Sequence, residues 1–338
     1  MDLDERQARR QAQRQARIRR RRAGAGVAVI AIVGAVVAIA LASSGGSNDA
    51  PTTHASTTPV TNTETTHVPA TTRRHHTKKP LTWPPTTAPP ASSGTGHPGT
   101  AAVPVLMYHV IANPLPGVPY PGLYVPVAEF KQQMKALKDA GWHAVTQDQL
   151  LAHWRHGASL GKGKPIVLTF DNGYHSQAAV AMPVLRKYHW AGVENIQLTG
   201  LPPSQGGLTR KEVKKLLHAG WELDTQGISH ADLVTLSPAA LKHEVADARR
   251  TLQHRYHVQV NWFCYPSGHY DPTVIDEVRR AGFVGSTTVI PGWAHGSDDR
   301  YSLPRLRVLG GTSGQALLNQ IATAKDAGPT PASYTSAG

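Results

Sequence analysis

The sequence predicts an α/β protein whose folded part is a closed or distorted (β/α) barrel. Three observations carry this. Short apolar or β-rich runs recur eight times between residues 101 and 324. Helical signals lie between most of them, and strands that alternate with helices build a parallel sheet. Eight such units in roughly 220 residues suit a barrel.

The runs, in order, are "VPVLM" 103–107, "HAV" 143–145, "PIVLTF" 165–170, "NIQLT" 195–199, "WELDT" 221–225, "VNWFCY" 260–265, "FVGSTTV" 283–289 and "RLRVL" 305–309. After the first, Val127, Phe130, Met134 and Leu137 repeat at helical spacing and stop before Gly141. Thr209 and Glu212 form a capping box ahead of "VKKLLHAG". Ser237-Pro238 and Asp271-Pro272 read as N-cap and first-turn pairs, and Gly282 as a helix stop.

The first hundred residues do not read as globular. Residues 1–22 hold nine Arg against Asp2, Asp4 and Glu5, so +6 of the formal +13 lies there. Residues 101–338 keep 22 basic and 17 acidic residues, so the high pI is mostly a property of the tail. A basic run alone suggests nucleic acid. Here the uncharged stretch "AGAGVAVIAIVGAVVAIALA", residues 23–42, follows at once and is long enough to cross a bilayer. The expectation is therefore a signal-anchor helix, no nucleic-acid partner, a cytoplasmic basic tail and everything else outside. The alternative is a secreted chain cleaved after "ALA" at Ala42. Residues 43–100 are rich in Thr, Pro, Ser and His and read as a disordered stalk. His75 and His76 read as solvated linker histidines. Residues 325–338 read as a disordered tail. Cys264 is the sole cysteine, which excludes an intramolecular disulfide.

In a β/α barrel the working residues sit at the C-terminal ends of the strands. Those ends place His109, Asp171, Asp224, Gln226, Tyr265 and Pro266 at one mouth; His230 follows shortly, and Arg305 begins the last run. None is specific alone, but the set converges.

Five stretches in order, "VPVLMYHVI", "PIVLTFDNGYHSQ", "GWELDTQGISHADLVTLS", "FCYPSGHYDPTVIDEVRRAGF" and "SLPRLRV", resemble the successive motifs of the polysaccharide deacetylase family (carbohydrate esterase family four), in its membrane-attached or secreted branch. The resemblance covers residues 103–309. It implies a distorted (β/α) barrel and metal-dependent removal of N-acetyl groups from an N-acetylated polysaccharide or peptidoglycan. Carried over by position, Asp171 is the implied base. Asn172, Gln226 and His230 occupy the metal positions. His109 is an implied proton donor, and Arg305 orients Asp171. Tyr265, Pro266 and Gly268 are expected to shape the substrate groove.

The chain departs from that pattern where a carboxylate and an imidazole are replaced by the carboxamides Asn172 and Gln226. Zinc favours imidazole, thiolate and carboxylate, so one histidine with two amides should hold it weakly. A substitute set is conceivable. Asp224 precedes Gln226 by two residues and faces the same side, and His175 lies just past the Gly-Tyr turn. Asp224 and His230 with His175 or His109 would suit a divalent ion. Two readings stay open, a hydrolase of N-acetyl amide bonds with a degenerate metal site and an inactive glycan-binding protein. A third, weaker reading pairs Asp171 with Asp224 to cleave a glycosidic bond.

Overall fold

The computed structural model describes residues 94–199, 201 and 206–335. The basic tail, the expected anchor at 23–42 and the stalk up to residue 93 lie outside the described residues. Among the described residues no helix is long and apolar enough to cross a membrane.

Every run read as a strand forms one. They are β1 (Val103–Tyr108), β2 (Trp142–Val145), β3 (Lys164–Asn172), β4 (Val193–Ile196), β5 (Glu222–Thr225), β6 (Trp262–Cys264), β7 (Gly285–Thr287) and, last, β9 (Leu306–Arg307). Between the last two lies a two-residue strand that the sequence did not announce, β8 (Trp293–Ala294), antiparallel to β1. All other pairings of the sheet are parallel, in the order β7-β6-β5-β4-β3-β1. β2 and β4 pair with successive halves of β3: Trp142–Val145 lie opposite Lys164–Val167, and Val193–Ile196 opposite Thr169–Asn172.

The sheet curls toward closure through irregular backbone. Leu303 N donates to Ser286 O at 3.0 Å, Thr288 N to Leu303 O at 2.9 Å and Arg305 N to Ile290 O at 2.9 Å. That segment leads into β9, which pairs with β1. The result is a distorted, partly closed barrel, and it brings Arg305 to the centre of the mouth.

The helices are α1 (Val127–Asp139), α2 (Gln147–His156), α3 (Met182–Arg186), α4 (Arg210–His218), α5 (Pro238–Lys242), α6 (Ala248–Tyr256), α7 (Pro272–Arg280) and α8 (Gly314–Thr323). α1 buries Phe130, Met134 and Leu137 of the predicted stripe, and Val127 at its first position is half-buried. Full burial of each such side chain contributes about 1.5–3 kcal/mol. The predicted capping box closes at α4 between Thr209 and Glu212, and Asp271 accepts from Val274 N at 2.8 Å at the start of α7.

Strand alternation sorts the core into two layers. Leu106, Tyr108, Ile166, Leu168 and Phe170 face the helices. Val103, Val105, Val167, Val193 and Trp262 fill the barrel. On β3 the inward row continues from Val167 through Thr169 to Asp171, which carries polar groups up to the mouth.

The ordered contacts run past the expected domain edges. Gly96 N donates to His156 O at 3.2 Å and Gly99 N to His153 O at 2.9 Å, so part of the segment assigned to the stalk lies along α2. In the segment assigned to the tail, Tyr334 exchanges backbone hydrogen bonds with Tyr270 at 2.7 and 2.8 Å. Composition misses both, because backbone pairing leaves no hydrophobic period.

Candidate active site

Asp171 lies on the floor of the mouth, 1% exposed. Arg305 grips it with two parallel bonds, Nη1 to Oδ1 at 2.8 Å and Nη2 to Oδ2 at 2.9 Å. Asn195 Nδ2 adds a bond to Oδ1 at 2.9 Å, and the Cys264 thiol lies 3.5 Å from Oδ2. Arg305 is itself fixed by Thr288 O at 2.8 Å and Thr169 Oγ1 at 3.0 Å. Burial alone would raise the Asp171 pKa. The charges of Arg305 and His109 and the bonds from Arg305 and Asn195 outweigh it and hold the carboxyl down at about 2. Such a carboxylate is always ionised at neutral pH and is a weak general base, since the best base has a pKa near the working pH.

His109 follows β1 and lines the cavity with Asp171. Burial is the main cause that lowers its pKa to about 4; Arg305, Arg307 and His230 push the same way and Asp171 opposes. The ring is therefore neutral, and its buried Nδ1 has no hydrogen-bond partner. Gln177 ties the two tips together, donating from Nε2 to His109 O at 3.0 Å and Asp171 O at 2.8 Å.

His230 also lines the cavity, on a left-handed backbone (φ 61°). Burial lowers its pKa. Its loop is held by Glu244, which accepts from Ile228 N and Ser229 N, both at 2.9 Å, and from Ser229 Oγ at 2.5 Å.

Asn172 and Gln226 belong to a relay of carboxamides. Gln197 Nε2 donates to Thr199 O at 2.7 Å, Asn172 Nδ2 donates to Gln197 Oε1 at 2.7 Å, and Gln226 Oε1 accepts from Asn172 N at 3.0 Å. The orientation of each amide follows from chemistry. A backbone carbonyl only accepts, so Gln197 must turn its nitrogen to Thr199 and its oxygen to Asn172. A backbone N–H only donates, so Gln226 must turn its oxygen to Asn172 and keep its –NH2 for the cavity that it lines. An –NH2 is the wrong end of the dipole for a cation. Zinc takes three or four N, S or O ligands; the three metal positions that the resemblance implies offer one imidazole on His230, one remaining amide oxygen on Asn172 and an N–H donor on Gln226, while the Asp171 carboxylate in the same cavity is taken by Arg305. The residues do not fit a divalent metal.

The substitute set is not assembled either. Among the described residues no three His, Cys, Asp or Glu side chains are grouped to hold a metal. Asp224 does face inward, but deeper in the barrel, 0% exposed, with Oδ1 taken by Asn261 N at 3.1 Å and Trp262 N at 2.8 Å. Alternation assigned its face correctly but not its depth. It does not line the cavity with Asp171, and no paired-carboxylate site forms there. His175 is turned outward, its side chain 58% exposed and paired with Glu212 at 2.6 Å.

Tyr265 lines the cavity and donates its hydroxyl to Tyr301 O at 2.7 Å. Gly268 lines it too, at φ 80°, where an added Cβ would meet Val289 Cγ2 at 2.3 Å. Pro266 is buried and starts that turn without lining the cavity. Sequence reading missed Asn195, Gln197 and Glu244. The first two had a signal, two polar side chains two apart at the tip of "NIQLT".

The chain matches the polysaccharide deacetylase family profile over residues 159–286. It is 30% identical over 217 residues to YxkH, a polysaccharide deacetylase homologue of Bacillus subtilis (strain 168), a match covering 64% of this chain and 75% of that one. The chain belongs to the polysaccharide deacetylase family. Among solved structures, the fold is similar to the Streptococcus pyogenes deacetylase PplD, whose structure holds acetate, with TM-score 0.60 and 27% identity over 66% of this chain and 99% of that one. It is also similar to the Bacillus cereus polysaccharide deacetylase BC0361, with TM-score 0.58 and 25% identity over 65% and 69%. The domain is thus of a class that hydrolyses N-acetyl groups on polysaccharides, a chemistry that is generally metal-dependent in this family.

Proposed function

We propose that this protein binds an N-acetylated cell-envelope glycan at the barrel mouth without running the family's metal-dependent deacetylation, and that residues 23–42 hold it on the outer face of the membrane. The observation that carries the first part is the orientation of the relay, which turns an N–H donor of Gln226 toward the cavity. The cavity, about 850 Å³, is in the range of ligand sites. An acetamido group carries one acceptor and one donor, which suits a mouth offering the Gln226 –NH2, the Asn172 oxygen and a neutral imidazole.

A second reading, slow hydrolysis by an altered site, is favoured by the intact Asp171–Arg305 pair beside His109. One experiment separates the two. N-acetylglucosamine oligomers are titrated into the protein by calorimetry, and acetate release is followed with and without added zinc. Binding without acetate release is expected in both conditions. Zinc-stimulated release that Asp171→Asn abolishes overturns the binding-only reading. For the anchor, the chain is expected to stay with membranes through a high-salt wash, and a mature chain starting at Ser43 would refute it.

A further inference from the structure

The cavity at the mouth is not polar throughout. Besides Asp171, His109 and the relay, its lining includes Pro119, Tyr120 and Leu309. Tyr120 is 77% exposed and Leu309 is 42% exposed. Among the described residues only four large apolar side chains are exposed, and these two share one cavity. Scattered exposed apolar groups need no explanation, but a cluster at a binding cavity does.

The backbone around Tyr120 sharpens the point. Tyr120 has φ 54° and ψ 56°, the left-handed region. For a residue with a Cβ this costs roughly 1–2 kcal/mol. The loop is pinned on both sides. Val125 N donates to Val110 O at 2.9 Å, Leu123 N to Tyr120 O at 2.9 Å and Gly310 N to Gly122 O at 3.0 Å. The approach of the 310 segment is close enough that a Cβ on Gly310 would lie 2.2 Å from Tyr124 O. A large aromatic ring is thus held out into solvent on a strained base. Burial does not repay that cost, since the ring is mostly in water. A ligand covering the ring would.

The chemistry identifies the ligand group. A pyranose ring presents one face of C–H groups, apolar and faintly positive. The face of an aromatic ring is apolar and faintly negative, so the two stack. No charged group is required. We propose that Tyr120, flanked by Leu309, is a stacking platform for a pyranose unit of the glycan other than the unit held at Asp171 and His109. This rests on the glycan-binding reading above and adds a second subsite to it, so the mouth selects for chains of more than one sugar.

The test uses the full chain and two probes, N-acetylglucosamine and its pentamer, titrated into the unmodified protein, Tyr120→Ala and Tyr120→Phe. The side chain is exposed, so folding is expected to be unaffected, and circular dichroism checks it. Tyr120→Ala is expected to weaken pentamer binding about tenfold, or about 1.4 kcal/mol, and to leave monomer binding unchanged. Tyr120→Phe is expected to bind the pentamer as the unmodified chain does. Pentamer binding that is unchanged in Tyr120→Ala overturns the platform and leaves the glycan reading standing. An equal loss for monomer and pentamer also overturns it, since that is a structural effect. If the unmodified chain binds no pentamer, the glycan reading fails, and the platform with it.

Discussion

Replacing Asp224 by Asn should make the protein more stable at neutral and alkaline pH. Asp224 and Glu222 both point into the barrel from β5, 0% and 3% exposed. Asp148 packs beside them, held by Asn261 Nδ2 at 2.8 Å and Trp262 Nε1 at 3.1 Å. Glu222 Oε2 accepts from Asp148 N at 2.9 Å. Glu222 Oε1 and Asp224 Oδ2 find no other partner among the described residues, and the two side chains bond each other. Two carboxylate oxygens attract only with a proton between them. Burial, with the Asp148 charge adding to it, raises the Asp224 pKa to about 7 against the bonds from Glu222, Trp262 and Asn261. Burial first, then the charges of Asp148 and Asp224, holds Glu222 well above the usual carboxyl range. Arg249 feels the Asp224 charge but gives its hydrogen bonds to Val260 O and Ala281 O.

The sign follows from linkage. Unfolded Asp224 ionises near 3.8 and folded Asp224 near 7, so between these values the unfolded chain has released a proton that the folded one keeps. The stability that Asp224 contributes then falls as pH rises, and this contribution levels off above 7. At about 1.4 kcal/mol per pH unit the window is worth up to about 4 kcal/mol. Asn is uncharged at every pH. Its oxygen still accepts from Asn261 and Trp262, and its –NH2 supplies Glu222 with a permanent donor. Urea unfolding followed by tryptophan fluorescence, from pH 4.5 to 8.5, compares the two chains. The variant should match the unmodified protein near pH 4.5 and exceed it by a few kcal/mol at pH 8. A difference that does not change with pH, or a variant that is weaker at pH 8, refutes the shared proton.

Three further outcomes are expected. Asn172→Asp with Gln226→His should raise zinc affinity at least tenfold by calorimetry, each change alone doing less because residues around one ion act as a unit; no gain in the double variant would refute the relay as the reason for the poor fit. Arg305→Met leaves the Asp171 charge buried and unpaired, a loss of about 3–5 kcal/mol at pH 7; the deficit should shrink as pH falls toward 2, where the unmodified protein also loses its ion pair, and a deficit constant with pH would contradict this. Glu244→Ala strands the N–H groups of Ile228 and Ser229 at about 1–3 kcal/mol, and it should shift the His230 ring resonances in a proton–nitrogen spectrum.

Much of the fold was legible because its signals are local. Val127, Phe130, Met134 and Leu137 share a helix face whatever surrounds them, and "PIVLTF" alternates between two faces by strand geometry alone. The pattern fails where closure is made by irregular backbone, as between residues 286 and 305, and where a strand has only two residues, as at Trp293–Ala294. Asp224 shows the same limit within the site. Its face could be read from alternation, but its depth depends on how far β5 runs beside β4.

What the sequence determined by itself was the alternating β/α order, the placing of Asp171, His109 and His230 after strands, and the carboxamides at positions 172 and 226. The tertiary structure alone decided which amide atom faces the cavity, which carboxyls share a proton, and that Arg305 grips Asp171 across 134 residues of chain. The reason is physical. Side-chain identity and spacing are properties of the chain, whereas the direction of an amide or the pKa of an acid is set by donors, acceptors and charges that other strands bring within about 3 Å.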